Sequence, residues 1–389
     1  MNIFLFLFGC ALWVKPEPSN PVFEVRYRPV EAQTKEAKQL VKRIPGAQWD
    51  SGLHNAALLL VSKLRSRSAR IPTQVASDAT AIAGFPGQAR FAKLINGGGF
   101  PDELVEAIQT DMRGQPVDVC LVSRKYGDGI VLWLVGWAPH LIDMDPIPRN
   151  ISLDAAIPIH VELAGSDRAT LYLSHPDGAV DVMPIVPLAD RWLNDFYIPG
   201  EYRFEVVADR ISGPQVALLF SVFVDVPTPS LPAIKKTNPK VQSPIEAERY
   251  LYRAVNKLRE ERGLEKLKRF TLFEPLAREH SAWMAVTGIL DHKIPNVTPG
   301  VPYHAANLAH PRARHYQNVA AAFSGPDALA LSIDSPGHFK TLLCETCTHM
   351  SIGVALEPKR IGTPRLFVTW EVLEFPQGRP VKIEKLQQE

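Results

Sequence analysis

The run SPIEAERYLYRAVNKLREERGLEKL, Ser243 to Leu267, decides how the rest of the chain is read. Ser243, Pro244 and Glu246 form a capping-box pattern with proline in the first turn, which satisfies N–H groups that a helix leaves free at its start. Leu251, Ala254, Val255 and Leu258 follow at spacings of three and four, one apolar stripe, and Gly263 supplies a natural C-terminal stop. The pattern predicts a second helix over 273–287, with Phe273, Leu276, Ala277, His280 and Met284 on its stripe and Gly288 at its end. Two strand-like runs, SIGVAL at 351–356 and RLFVTWEVL at 365–373, close the region.

Immediately upstream, VPTPSLPAIKKTNPKVQSP at 226–244 holds five prolines and three lysines, and all periodicity stops. Such a stretch favours an extended, semi-rigid backbone and reads as a linker. A weaker boundary, DMDPIPRN at 143–150, precedes short β-type runs: IPIHVEL, RATLYLS, YRFEVVA and VALLFSVFVDV, with PDG and PGEY turns between them. They suggest a β-sandwich, and PGEYRFEV at 199–206 looks like the late-strand signature of Ig-like modules. Residues 35–140 read as helices (KEAKQLVKRI, LHNAALLLVSKL, PDELVEAIQTDM) followed by two apolar strands, VDVCLVS and IVLWLVGW. The organisation expected is therefore multidomain α+β. It comprises a leader over 1–20, an N-terminal α/β domain over 35–142, an Ig-like β-sandwich over 150–227, a Pro/Lys linker over 228–242, the final domain over 243–375 and a tail over 376–389.

A chain of 389 residues with 46% hydrophobic content can bury more than one core. Lys plus Arg number 43 against 41 Asp plus Glu, so no one-signed field draws it to nucleic acid. IFLFLFGCALW at 3–13 is too short to span a bilayer, which needs about 20 apolar residues. It reads as an export leader, with Leu7, Phe8, Gly9 and Cys10 resembling a lipobox whose cysteine is lipidated. Ordinary signal cleavage near Ala11, or a buried apolar strand, are the alternatives. The n-region lacks Lys and Arg, and Phe8 is bulky for its lipobox position.

Five pieces, VNKLREERGLEKL, PLAREHSAWM, GILDHKI, SPGHFKTLL and the final strand pair, occur in this order across about 130 residues. Together they resemble bacterial SCP-like proteins of the CAP superfamily (cysteine-rich secretory protein, antigen 5, pathogenesis-related 1). The resemblance implies an α-β-α sandwich and a cleft with two histidines and one or two glutamates. By motif the histidines fall on His292 and His338. The family's Gly-Glu-Asn motif falls on Tyr316-Gln317-Asn318, where Gln317 keeps hydrogen-bonding capacity but cannot ionise. The residue nearest the second acidic position is Ser335, beside Asp334. The N-terminal domain has the same order of elements: Leu53 with Ala57 overlays Phe273 with Ala277, and 119–137 overlays 350–373. A degenerate copy of the same domain, without the motif histidines, is one reading of this α/β domain.

Two neutral imidazoles can ligate zinc, which wants a third protein ligand in an open site. His304, His310 and His315 stand in the loop between the motif histidines, and seven of eleven histidines lie from His280 to His349. The bland alternative, a hydrogen-bonded cleft without resident metal, is favoured, and His280 reads as a satisfied core histidine. Cys344 and Cys347, spaced CxxC, suggest a local disulfide in an oxidising compartment, and Cys120 a buried core residue. The favoured function is a non-enzymatic envelope protein presenting the cleft to a lipid, glycan, peptide or protein. A metal-dependent hydrolase working through His292 and His338 is the alternative, with Glu371 and Asp291 as the acids to inspect. A purely structural role is the third.

Overall fold

The computed structural model describes residues 24–25, 34–95, 101–112, 114–144, 147–159, 161–163, 166, 168–185, 191–193, 196–210, 213–235, 242–294, 310, 312–358 and 364–376. The leader with Cys10, the loop residue His304 and the tail beyond residue 376 lie outside them. No described helix is long and apolar enough to cross a membrane.

The N-terminal part runs α1 (Lys35–Arg43), β1 (Ala47–Trp49), α2 (Ser51–Lys63), α3 (Thr73–Ala83), β2 (Arg90–Ile95), α4 (Asp102–Met112), β3 (Val117–Lys125) and β4 (Val131–Pro139). Its sheet order is β1-β3-β4-β2, with β1 parallel to β3 and the other pairs antiparallel. Cys120 is buried in β3.

The middle part is β-rich, with β5 (Ala169–Ser174), β6 (Val180–Ile185), β7 (Gly200–Arg210) and β8 (Gly213–Val224) paired antiparallel in the order β6-β5-β7-β8. Strand alternation turns Leu171, Leu173, Tyr202, Phe204, Val206, Phe220 and Val222 inward. Arg203 and Glu205, set between inward positions of β7, therefore point out from the opposite face. In and beside the 143–150 stretch, Ile142–Met144, Ile147–Pro148 and Asn150–Ile151 are short strands, the last parallel to β8.

The C-terminal part runs α5 (Pro244–Glu260), β9 (Lys268–Arg269), α6 (Glu274–Thr287), β10 (Arg314–Ala322), α7 (Gly325–Asp334), α8 (Pro336–Leu342), β11 (His349–Leu356) and β12 (Leu366–Glu374). The Ser243–Glu246 capping box forms, and Gly288 ends α6 in the left-handed conformation. The predicted start of the second helix, Phe273, instead closes a short 3-10 turn over Thr271–Phe273. Pro275 suits a first helical turn, so α6 begins one residue later than predicted.

Sheet order is β9-β11-β12-β10, with β9 parallel to β11 and the remaining pairs antiparallel. Met350, Ile352, Val354, Val368, Trp370 and Val372 share one core with Leu251 and Val255 of α5 and Ala328 of α7. The alternate residues face the other way: Phe367 and Val319 pack with Met284 and Ala285 of α6. Helices thus cover both faces of the sheet. The core Arg259, fully buried, donates from Nε to the Glu265 carbonyl and from Nη1 to those of Leu342 and Cys344. This fastens the end of α5 to the end of α8, beside the bonded Cys344–Cys347 pair.

The proline-rich stretch is not wholly free of the N-terminal part. Leu231 and Ile234 are buried, and Ile234 exchanges backbone hydrogen bonds with Lys63 and Arg65 at the end of α2. The apolar side chains in an otherwise polar segment supply the reason, since burying them outweighs keeping the strand solvated.

Candidate functional site

The polar centre of the C-terminal part forms at the sheet edge, because β10 is the last strand and only one side of it is paired. Gln317 on β10 lies opposite Glu371 on β12 in the register. Both belong to the face covered by α6, whose His280 meets them there. The amide of Gln317 is fully used: its Nε2–H groups donate to His280 Nδ1 (3.1 Å) and to Glu371 Oε1 (3.0 Å), and its oxygen accepts from His292 Nδ1–H (3.0 Å). Glu371, a buried acceptor, requires the amide nitrogen on its side, which turns the amide oxygen toward His292.

These directions fix the tautomers. His280 accepts at Nδ1 and so donates from Nε2–H to the Asp291 carbonyl (2.8 Å). That bond holds the residue next to His292 against α6. His292 donates from Nδ1 and therefore carries its lone pair on Nε2. The other Glu371 oxygen accepts from His315 Nε2–H.

His338 approaches from the other side of the sheet on α8. Its carbonyl accepts from Asn318 Nδ2 on β10 (2.9 Å), and its ring stands edge-on to that of His292 with centres 6.2 Å apart. Both histidines are only partly exposed. Burial lowers the pKa of His280, of His292 and of His338, the last to about 3 with a smaller contribution from the His292 charge. The imidazoles are neutral at physiological pH.

A consequence for stability follows with a definite sign. Below the ordinary histidine value of 6.5 the unfolded chain takes up protons that the folded imidazoles refuse, so stability is full above that pH and falls on acidification toward about 3. Denaturant titrations are expected to show a loss of up to ~1.4 kcal/mol per pH unit from His338 alone across this window. His338→Gln should flatten the curve by that slope; equal slopes in the two proteins would mean that His338 is not held neutral by the fold.

Of the residues singled out from sequence, His292, Gln317 and His338 come together. Ser335 does not open into the cleft: it is fully buried and caps α8 by accepting from His338 N–H (3.2 Å). His315 is turned to Glu371, and His310 Nδ1 accepts from the Arg312 amide (3.1 Å). The acid Glu371 is linked by hydrogen bonds to His292 through Gln317, and the Asp291 carboxylate accepts from the Lys293 amide (3.1 Å).

Among the described residues, which leave out His304, the donor set does not fit a built zinc centre. Two imidazoles on one tetrahedral zinc, each bound at about 2.1 Å, bring their ring centres to about 5 Å. Among the described residues no three His, Cys, Asp or Glu side chains converge on a metal-sized site. A shallow groove of about 320 Å³ lies elsewhere, along α5, lined by Tyr252, Arg253, Asn256, Lys257, Glu260 and Lys266.

A sequence model of the cysteine-rich secretory protein (CAP) family matches residues 252–370. No curated protein matches the chain. Among solved structures, the chain is similar to an outer surface protein of Borrelia burgdorferi (19% identity, 33% of this chain and 92% of that one, TM-score 0.28). It is also similar to an extracellular SCP-domain protein of Bacillus anthracis (17%, 48% and 63%, TM-score 0.30). A cysteine-rich secretory protein of Staphylococcus aureus overlaps at 14% identity, covering 61% and 83%, with a TM-score of 0.26. These overlaps are too low to carry weight, and the assignment rests on the family model.

Proposed function

We propose, from the premise that residues 252–370 of this chain are a CAP domain, that the protein is an exported, non-enzymatic binding module of the cell envelope. The observation that carries this reading is the closed hydrogen-bond chain around Gln317. It occupies the Glu371 carboxylate with Gln317 and His315 and leaves the two cleft imidazoles neutral, without an adjacent unengaged carboxylate among the described residues. Such a cleft offers the His292 Nε2 lone pair and the His338 ring to ligand O–H and N–H groups, as glycans, peptides and lipid headgroups carry.

The proposal is tested with the full chain on arrays of envelope glycans, lipids and peptides. A ligand retained by the native protein and lost on His292→Ala with His338→Ala supports it. Equal retention by the variant overturns it in favour of a scaffold role. Calorimetry with zinc alone should give at most weak binding, because among the described residues no carboxylate offsets the metal charge between the histidines. Tight zinc binding coupled to peptide hydrolysis, both lost on His338→Ala, would establish the hydrolase instead.

Two features support accessory roles for the upstream parts. The N-terminal sheet order β1-β3-β4-β2 repeats the C-terminal order β9-β11-β12-β10, including one parallel outer strand and the final hairpin. This favours a degenerate CAP-like copy over 35–142, in which the overlay of Leu53 on Phe273 puts Leu60 in place of His280. In the middle part, Tyr202 Oη donates to the Ile198 carbonyl (3.0 Å) and accepts from Tyr197 N (3.0 Å), a tyrosine corner that favours the Ig-like sandwich over 150–227. Export is proposed through the 3–13 leader, with Cys10 as the lipid anchor site. Cys10→Ser is expected to abolish membrane association if the lipobox is used, and to leave secretion intact if cleavage follows Ala11 instead. Mature protein that keeps Met1 and stays in the cytoplasm would exclude both routes.

A further inference from the structure

Between the middle sheet and the CAP domain lies a polar seam that joins the SPGH motif to β7, a strand outside every cleft motif. Glu205, outward-facing on β7 and 1% exposed, accepts from Ser335 Oγ–H (2.7 Å) and from the Gly337 amide (2.6 Å). Ser335 Oγ in turn accepts from the backbone N–H of His338. Two residues along β7, Arg203 pairs with Asp334, the last residue of α7, and with Glu201. Gln74 of α3 donates to the same Asp334. The fit is close: a Cβ on Gly337 would come within 2.9 Å of Glu205 Oε2 and 3.9 Å of Tyr172.

A buried carboxylate with both oxygens accepting is bound to its two donors by charge-assisted bonds, the stronger kind, and taking it away leaves the donors buried and unpaired. The donors here are the cap of α8 and the amide next to His338. We infer that Glu205 is a positioning residue of the cleft: a carboxylate from the middle sheet, acting through Ser335 and Gly337, sets the place of His338 against His292. The β-rich part is then a working component of the CAP cleft and not a passive stalk. This inference rests on the reading of the cleft as the ligand site.

The test uses the full chain and diethyl pyrocarbonate as the probe of imidazole reactivity, with His292 as internal reference. Amide hydrogen exchange at Gly337 and His338 is followed in parallel. In Glu205→Leu both acceptors are lost. Exchange at these two amides should rise roughly tenfold or more, the equivalent of one such hydrogen bond. The modification rate at His338 should change relative to His292, and Glu205→Gln, which can still accept from Gly337 and donate to Ser335, should restore most of both signals. Should Glu205→Leu fail to fold, Ser335→Ala cuts the same relay from the other side and should alter His338 in the same way. An unchanged His338-to-His292 ratio, or equal acceleration at both rings with exchange rising everywhere, overturns the inference and leaves Glu205 a docking contact. Absence of glycan, lipid or peptide retention by the native protein, while Glu205→Leu still changes the His338-to-His292 ratio, counts against the binding function and not against this role of Glu205.

Discussion

Gln317→Glu, the change that writes the family glutamate into this cleft, is expected to destabilise the protein by about 3 kcal/mol at pH 8 in the absence of metal. The new carboxylate would face Glu371 at the 3.0 Å now spanned by an N–H donor, and it would lose the bond that Gln317 gives to His280. Like charges at this separation cannot both ionise cheaply, so the pair holds one proton to higher pH than an isolated glutamate does. The sign follows: the folded variant binds more protons than its unfolded chain, and its deficit shrinks as pH falls toward 5. Zinc should recover part of the loss, because a dication offsets two adjacent carboxylates. Denaturant curves at pH 5 and 8, with and without zinc, check this. A variant as stable as the native protein at pH 8 without metal would show that Gln317 and Glu371 are not in contact.

Gly353→Ala is expected to cost more, about 4 kcal/mol, an upper-end effect for one methyl group. Helix α6 crosses β11 at this glycine so closely that an added Cβ would overlap the carbonyl carbon of Ala277 and the amide nitrogen of Arg278. Both obstacles are backbone, so no side chain can turn away, and the helix must shift. His280 rides on α6 three residues beyond Ala277 and holds the Asp291 carbonyl beside His292. The same substitution should therefore alter the diethyl pyrocarbonate reactivity of His292 in whatever fraction stays folded. Urea titration with that mapping gives the measurement, and a loss below about 1 kcal/mol would mean that α6 does not sit on Gly353.

What the sequence by itself determined about this protein is local and periodic. The Ser243–Glu246 cap, the Leu251 and Val255 stripe and the Gly288 stop depend on neighbours a few residues away, and each stands where the pattern puts it. The motif order likewise singled out His292, Gln317 and His338, three side chains that the fold brings together. The β-type runs marked β5, β7 and β8 of the middle part, with Arg203 and Glu205 inside the β7 run but given no role.

Only the tertiary structure decided what those outward residues meet. An alternating strand states which side a residue faces and nothing about what covers that side, so Glu205 reads as solvated although it is bonded to a loop 130 residues away. Ser335 shows the same limit from the other end: its motif position suggests a cleft residue, while its hydroxyl is turned to Glu205. The pairing of His315 with Glu371 and of Gln317 with His280 arises because β10 and β12 are neighbours in register under α6, a relation carried by no spacing along the chain. Periodicity encodes faces; the choice between a free acid and an engaged one depends on distances across the sheet, which the fold alone sets.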